Sequence, residues 1–308
     1  MQSIGPVLLQ RLARAMLTLW LVVSVVFVIL RLSGDPVVLL LSENATPDQV
    51  EELRDRLGLD APIVVQYARY LGNLARGDLG LSLRQREPAL GIVLQRFPAT
   101  LQLAAAAFAI AATIGFSVGL FAALHRGSGW DRLTMALTSI LQSGPAFFIG
   151  ILLILLFSVQ LGWLPSSGRG GLKQLILPAL TLSGLTLASL ARLTRAALLD
   201  VLRADYIRTA RAKGLGERAV ILRHAVRNAA LPLVTVLGLE LGGLLTGAVI
   251  TETVFAWPGI GRLAVTAVGN RDYPVVQATT LFIATVFVLA NFLVDCSYAV
   301  IDPRVRGA

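Results

Sequence analysis

The residues Gly115-Phe116-Ser117-Val118-Gly119 reproduce the spacing of a serine-nucleophile elbow. That chemistry needs Ser117 on a sharp strand-to-helix turn, with a histidine base and an acid to orient it. The pentapeptide lies instead inside a long apolar run, where backbone groups must be satisfied within a helix. The nearest histidine, His125, is eight residues on, about 12 Å along a helix. The pair Gly115 and Gly119 therefore reads first as a helix-packing signal. An intramembrane serine hydrolase is the rival from another class.

Nucleotide chemistry finds no seat here. A phosphate-cradling loop ends in Gly-Lys-Ser or Gly-Lys-Thr, and the only lysines, Lys173 and Lys213, neither follow glycine nor precede a hydroxyl residue. Cys296, His125 and His224 cannot close a four-ligand zinc site, so no metal site is expected. Ionisable groups within apolar runs are costly and often functional. Glu240 lies well inside one such run, either facing a polar path or hydrogen-bonding a neighbouring helix. Asn291 and Asp295, one helical turn apart, carry the same two readings. Glu252, near the end of its run, is expected to reach interfacial water. Arg192 and Arg195 are expected to snorkel toward a membrane surface, with a lining role for Arg195 as the second reading.

These residues need helices to hold them. The chain has 308 residues, 56% hydrophobic and only 15% charged, with a mean hydropathy of +0.74. Such a composition points to an all-α, polytopic membrane protein. Six stretches are long enough to cross a hydrocarbon core, approximately Leu12–Leu30, Ala99–Leu124, Leu133–Leu161, Ile176–Leu198, Leu233–Val254 and Val276–Ile301. The first is too long for a signal core and lacks a small-x-small cleavage site, so it reads as an uncleaved span. The formal charge of +9 sits in short segments beside apolar runs, which is topogenic charge and argues against nucleic-acid binding. Arg11 and Arg14, Arg126 and Arg132, the insert Asp205–Pro232, and Arg304 and Arg306 all fall on one face. That face is expected to be cytoplasmic, with both termini on it.

The organisation expected is a first span over 1–30, an extracytoplasmic helical cap over 31–98, and a core of five spans over 99–308. In the cap, Thr46-Pro47-Asp48 reads as a helix start, Val50, Leu53 and Leu57 as an apolar stripe, and Gly58 as a stop. A second short helix starts near Pro62 and is expected to bury Ile63, Tyr67, Tyr70 and Leu74. Gly115 with Gly119, Gly238 with Gly242, and Gly243 with Gly247 are each four apart and mark packed helix faces.

The core also contains a cytoplasmic loop over 199–231. Its insert carries Arg208, Arg211, Lys213, Arg218, Arg223 and Arg227 against Asp205 and Glu217. Within it, Thr209-Ala210-Arg211-Ala212-Lys213-Gly214 offers small residues and a glycine, which let a partner approach the backbone and let the chain turn.

That hexapeptide resembles the coupling loop of ABC importer permeases. Nearly the whole chain is similar to the B-type permease subunit of the dipeptide, oligopeptide and nickel importers. The likeness rests on Leu57-Gly58-Leu59-Asp60-Ala61-Pro62 with Gln66-Tyr67, Gly77-Asp78-Leu79-Gly80, and Phe97-Pro98-Ala99-Thr100. It continues through Asp205–Gly214, His224-Ala225-Val226-Arg227-Asn228, Glu252 and Phe255-Ala256-Trp257-Pro258-Gly259. It ends with Arg271-Asp272-Tyr273-Pro274 and Asp302-Pro303-Arg304. Two positions depart from the broad coupling-loop pattern: Arg208 stands at its acidic first position and Arg227 where it has a proline. The resemblance implies a type I ABC importer permease in a bacterial inner membrane, not itself an enzyme. It implies a related C-type permease, two cytoplasmic ATPase chains that hold ATP and magnesium, an extracytoplasmic substrate-binding protein and membrane lipid as partners. Coupling is then expected at Thr209, Ala210, Arg211, Ala212, Lys213, Gly214, His224 and Arg227, and the path at Glu240, Asn291 and Asp295. The cargo expected is a di- or oligopeptide, with nickel or a metal chelate as the alternative; a secondary transporter is the rival mechanism.

Overall fold

A computed structural model describes residues 4–32, 48, 51, 54–55 and 58–301; for 4–9, 231 and 293–301 it describes the backbone alone. The expected helix start at Thr46-Pro47-Asp48 and its stripe therefore lie, save for Asp48, outside the described residues. Among those described, everything regular is helical apart from one β-bridge, Leu81 with Pro88. Helix α1 spans Ile4–Leu32 and α2 spans Ile63–Ala75. Helix α3 spans Ala89–Leu124, with a π-turn over Ala111–Gly115. Then come α4 (Gly129–Ser143), α5 (Ala146–Gln160), α6 (Leu172–Leu202) and α7 (Asp205–Ala212). Helix α8 covers 217–254 with a π-turn over Val220–Ala225, α9 spans Ile260–Gly269 and α10 spans Tyr273–Ile301.

Five helices are long and apolar enough to cross a membrane. The sixth span, expected as one helix over Leu133–Leu161, is instead two: α4 and α5 meet at 109°. Pro145 has no N–H for the Leu141 carbonyl, and Gly144 before it takes an extended conformation, φ −82° and ψ 138°. Pro98, Pro178 and Pro232 stay inside their helices, as neighbouring helices permit for membrane prolines.

The chain divides into two compact units. The first comprises residues 1–100, 258–292 and 304–308. Leu30, Ile92, Val93, Ile260, Tyr273 and Val276 share its buried core. On α2, Tyr70 stacks against Phe27 of α1 and Tyr67 meets the same ring tilted by 59°, while Ser24 shares a 2.5 Å hydrogen bond with the Tyr67 hydroxyl. Burial pushes the Tyr70 phenol up to about 12. The face of α2 is only half-covered, however, and Ile63, expected inside, is 54% exposed. The loop 77–88 is held more firmly. Ser82 Oγ donates to Asp272 Oδ2 at 2.5 Å and the Leu83 amide donates to Oδ1 at 3.0 Å, with Asp272 buried. Thr100 Oγ1 accepts from the Ile260 amide at the start of α9.

The second unit comprises residues 101–257 and 293–303. Its spine is α6, buried over 61% of its most apolar window against 17–33% for the other straight spans. Lipid supplies little hydrophobic drive between helices, so close approach through small residues must supply contact. A Cβ on Gly115 would lie 2.9 Å from the Leu187 carbonyl, and one on Gly119 only 2.4 Å from that of Ala191. The Gly-x-Ser-x-Gly pattern is thus a packing face. Ser117 Oγ donates to the Thr113 carbonyl of its own helix. Gly243 and Gly247, expected to pack as tightly, are exposed in this chain, with added Cβ atoms 3.9 and 3.7 Å from the nearest atoms.

Gly119→Ala should therefore overpack α3 against α6 by about 1–3 kcal/mol. Thermal unfolding in detergent should show a lower midpoint than wild type. Gly129→Ala, where an added Cβ meets nothing within 4 Å, is the control. Equal midpoints for the two variants would refute the tight approach.

Candidate functional site

Two places in the second unit gather the polar residues of interest. The first is the basic insert. Helix α7 lies along the end of α6 because Ile207 and Ala210 bury into a cluster with Leu198, Val220, Ala225 and Ala229. Ala210, expected to leave room for a partner, thus faces the chain's own core and is 6% exposed. A helix of eight residues with one apolar stripe must turn that stripe inward. Thr209, Arg211, Ala212, Lys213 and Gly214 remain exposed, as does Arg227, while His224 is half-buried in the π-turn of α8.

The turn after α7 is set by Gly214 at φ +79°, with open space around its α-carbon. Arg211 then reaches forward, its Nε donating to Glu217 Oε1 at 2.7 Å and its Nη2 to Oε2 at 3.2 Å. That hydrogen-bonded guanidinium holds the Glu217 carboxyl below its ordinary value. Arg208 pairs locally with Asp205 at 3.3 Å. The insert therefore presents a pinned basic turn.

One turn before Leu198, Arg195 makes a contact that the sequence reading missed. Its Nε donates to Asp131 Oδ1 at 2.7 Å and its Nη2 to Oδ2 at 2.8 Å. Asp131 is buried at the start of α4, where Oδ2 also accepts from the Gly127 amide. Arg195, expected to snorkel to a membrane surface or to line the path, is held by a buried carboxylate and keeps 28% of its side chain exposed. A signal existed: Ser128-Gly129-Trp130-Asp131 has the spacing of a helix-capping box, and Ser128 Oγ accepts from the Asp131 amide. Arg192, nearby, is half-buried.

The second place is a cavity of about 230 Å³ at the break between α4 and α5. Gln142, Gly144 and Ala146 line it from the break, Thr181 and Thr186 from α6, and Glu240 with Leu244 from α8. Thr186 Oγ1 donates to Glu240 Oε2 at 2.9 Å. Glu240 thus takes the interhelical hydrogen bond of its two readings, and it also lines this cavity. Nothing in the sequence flagged Thr186 or Gln142, since only folding brings them to Glu240.

The other acidic expectations separate. Glu252, expected in interfacial water, is fully buried. One turn on, the Trp257 amide donates to its carbonyl, and Phe255 and Trp257 are themselves buried. The segment folds inward with its aromatic residues. Asn291 Nδ2 donates to the Phe287 carbonyl of its own helix. The Asp295 side chain lies outside the described residues, so the Asn291–Asp295 face is not placed.

Comparison with known proteins matches this sequence nearly end to end. Residues 115–307 match the family "Binding-protein-dependent transport system inner membrane component", and residues 6–104 match its N-terminal companion. The di/tripeptide transport system permease protein DppB of Pseudomonas aeruginosa (strain UCBPP-PA14) is 44% identical over 327 aligned residues, covering 96% of this chain and 97% of its own. The glutathione transport system permease protein GsiC of Escherichia coli O6:H1 is 44% identical over 299, covering 97% and 98%. A chain of the inward-facing MetNI methionine ABC transporter superposes with a TM-score of 0.57 at 20% identity, covering 68% of this chain and 96% of that one, which shows the shared fold. The helical membrane architecture, the basic insert and these full-length matches agree: the chain belongs to the binding-protein-dependent transport system inner membrane components, and it is a multi-pass permease subunit of an ABC importer rather than an enzyme.

Proposed function

We propose that this chain forms half of the translocation pathway of an ATP-driven importer of di- and oligopeptides, delivered by an extracytoplasmic binding protein. The observation that carries the cargo is the end-to-end 44% identity to relatives named for di/tripeptide and glutathione transport. A related permease completes the path, and two cytoplasmic ATPase chains bind ATP and magnesium. The exposed face of α7 with Gly214 and Arg227 is where an ATPase docks. The long helix α6 supports this reading: Leu198 seats α7 at one end while Thr186 lines the cavity further along. Residues 186 and 198 are about 18 Å apart along one helix.

In proteoliposomes holding the full complex and binding protein, labelled dialanine should accumulate only with ATP. Replacing the phosphate-binding lysine of the ATPases should abolish uptake. Accumulation of a nickel chelate but no peptide would overturn the cargo, and ion-driven uptake without the ATPases would overturn the mechanism. At Gly214, a glutamate adds both charge and left-handed strain, whereas asparagine tolerates that backbone. Gly214→Glu should insert normally yet lose ATPase co-purification and at least about tenfold in uptake, since an unpaired charge at a contact costs several kcal/mol. Gly214→Asn should keep most of both. Normal uptake in Gly214→Glu would remove the docking assignment.

With the basic insert cytoplasmic, both termini share that side and α2 lies outside. Gly72 on α2 has open space for a side chain. In a Cys296→Ser background, Gly72→Cys should react with an impermeant maleimide in intact spheroplasts. Labelling only after lysis would invert the topology.

A further inference from the structure

The cavity at the α4–α5 break carries a chemical bias. Among the described residues that line it, Glu240 is the one ionisable side chain. It stands roughly 12 Å along its helix from Pro232 and 21 Å from Val254, deep within the span. A carboxylate at such depth is costly unless a cation or hydrogen-bond donors meet it. The Thr186 hydroxyl donates to Oε2 only, and Oε1 has no partner described. The rest of the described lining is largely apolar, with Leu141, Ile149, Leu182 and Leu244, and its further polar side chains are Gln142 and Thr181, beside the broken chain at Gly144. Pro145 withholds the helical donor of the Leu141 carbonyl, and α5 begins at Ala146, also in the lining. The opened backbone and the Glu240 carboxylate thus line one cavity, and the carboxylate sets its sign. The space suits one small residue, since a water's share of liquid volume is about 30 Å³.

We propose that this cavity is a transit subsite for the α-ammonium end of the cargo, with the Glu240 carboxylate as its counter-charge. Thr186 is the positioning residue that aims the carboxylate, and the opened backbone at 141–146 meets the first peptide group. This inference rests on the peptide reading above and deepens it. It accounts for an acid at mid-membrane, met by the Thr186 hydroxyl on one oxygen, in a cavity with no cationic side chain among its described lining residues. A site built only for helix cohesion would need no cavity beside the carboxylate.

The test separates the subsite from the binding protein, which imposes its own selection. The complete permease–ATPase complex in nanodiscs, without binding protein, is titrated with radiolabelled dialanine and with N-acetyl-dialanine. Wild type should bind dialanine on the order of tenfold more tightly. Glu240→Gln should erase that preference by weakening dialanine alone, Glu240→Asp should retain part of it, and Thr186→Val should lose several-fold. Equal binding of both peptides to wild type, no saturable dialanine binding, or equal weakening of both by Glu240→Gln would each overturn the subsite. The wild-type comparison stands even if a variant fails to assemble. If the complex with its binding protein carries no peptide at all, the peptide reading itself fails. Normal peptide uptake without an ammonium preference sinks the subsite alone.

Discussion

Hydrocarbon offers no hydrogen bonds, so every backbone amide and carbonyl at membrane depth must find its partner within the protein. The apolar runs of this chain obey that constraint by staying helical even through Pro98, Pro178 and Pro232. The α4–α5 break is the exception, and it is informative for that reason. Backbone opened at membrane depth is tolerated where it lines a protein cavity rather than lipid. The break does so, together with Glu240 and Thr186.

A second consequence is the composition of α6. Helices in lipid associate through close contact and hydrogen bonds rather than burial from water. Its buried positions accordingly include Thr181, Ser183, Gly184, Ala188, Ala191 and Thr194. The Thr181 and Ser183 hydroxyls, costly there if left alone, bond back to the Leu177 and Leu180 carbonyls of their own helix. The small side chains admit Gly115 and Gly119 of α3, and Leu141 comes within 3.3 Å of a Cβ placed on Gly184. The same helix carries Thr186 at the cavity, Arg195 on Asp131 and Leu198 beneath α7. One stiff element therefore references cavity, ion pair and basic insert to each other.

The first unit solves a different problem, which is to order irregular chain without a long helix. Asp272 accepts from Ser82 and from the Leu83 amide, across 190 residues of sequence. Ser82 Oγ in turn accepts from the Gln85 amide, and Gly80 at φ +81° leaves Pro274 at van der Waals distance from where its Cβ would lie. Two segments that resemble family motifs, Gly77–Gly80 and Arg271–Pro274, are thereby revealed as two sides of one clasp. A hydrogen bond to a charged group contributes about 1.5–3 kcal/mol when buried, enough to hold a loop that has little apolar surface.

Much of this was legible in the sequence because its signals are local. Apolar run length marks five straight spans, a charge-dense insert marks the exposed turn, and Gly115 with Gly119 offers a packing face by its spacing, although Gly243 with Gly247 shares that spacing and stays exposed. Helical period and hydropathy act over a few turns, so one sequence suffices to read them. What the tertiary structure decided are the pairings and the facings. Leu133–Leu161 read as one run because hydropathy is blind to direction, while Gly144-Pro145 bends it by 109°. Ala210 turned inward because α7 has a single apolar stripe to seat, and Glu252 is buried beside Phe255 and Trp257. Arg195 found Asp131 sixty-four residues away, and Glu240 found Thr186 at fifty-four. A charge in an apolar run announces that it needs a partner. Which partner it gets depends on how whole helices cross, and that is set by steric contacts between surfaces that no local pattern encodes.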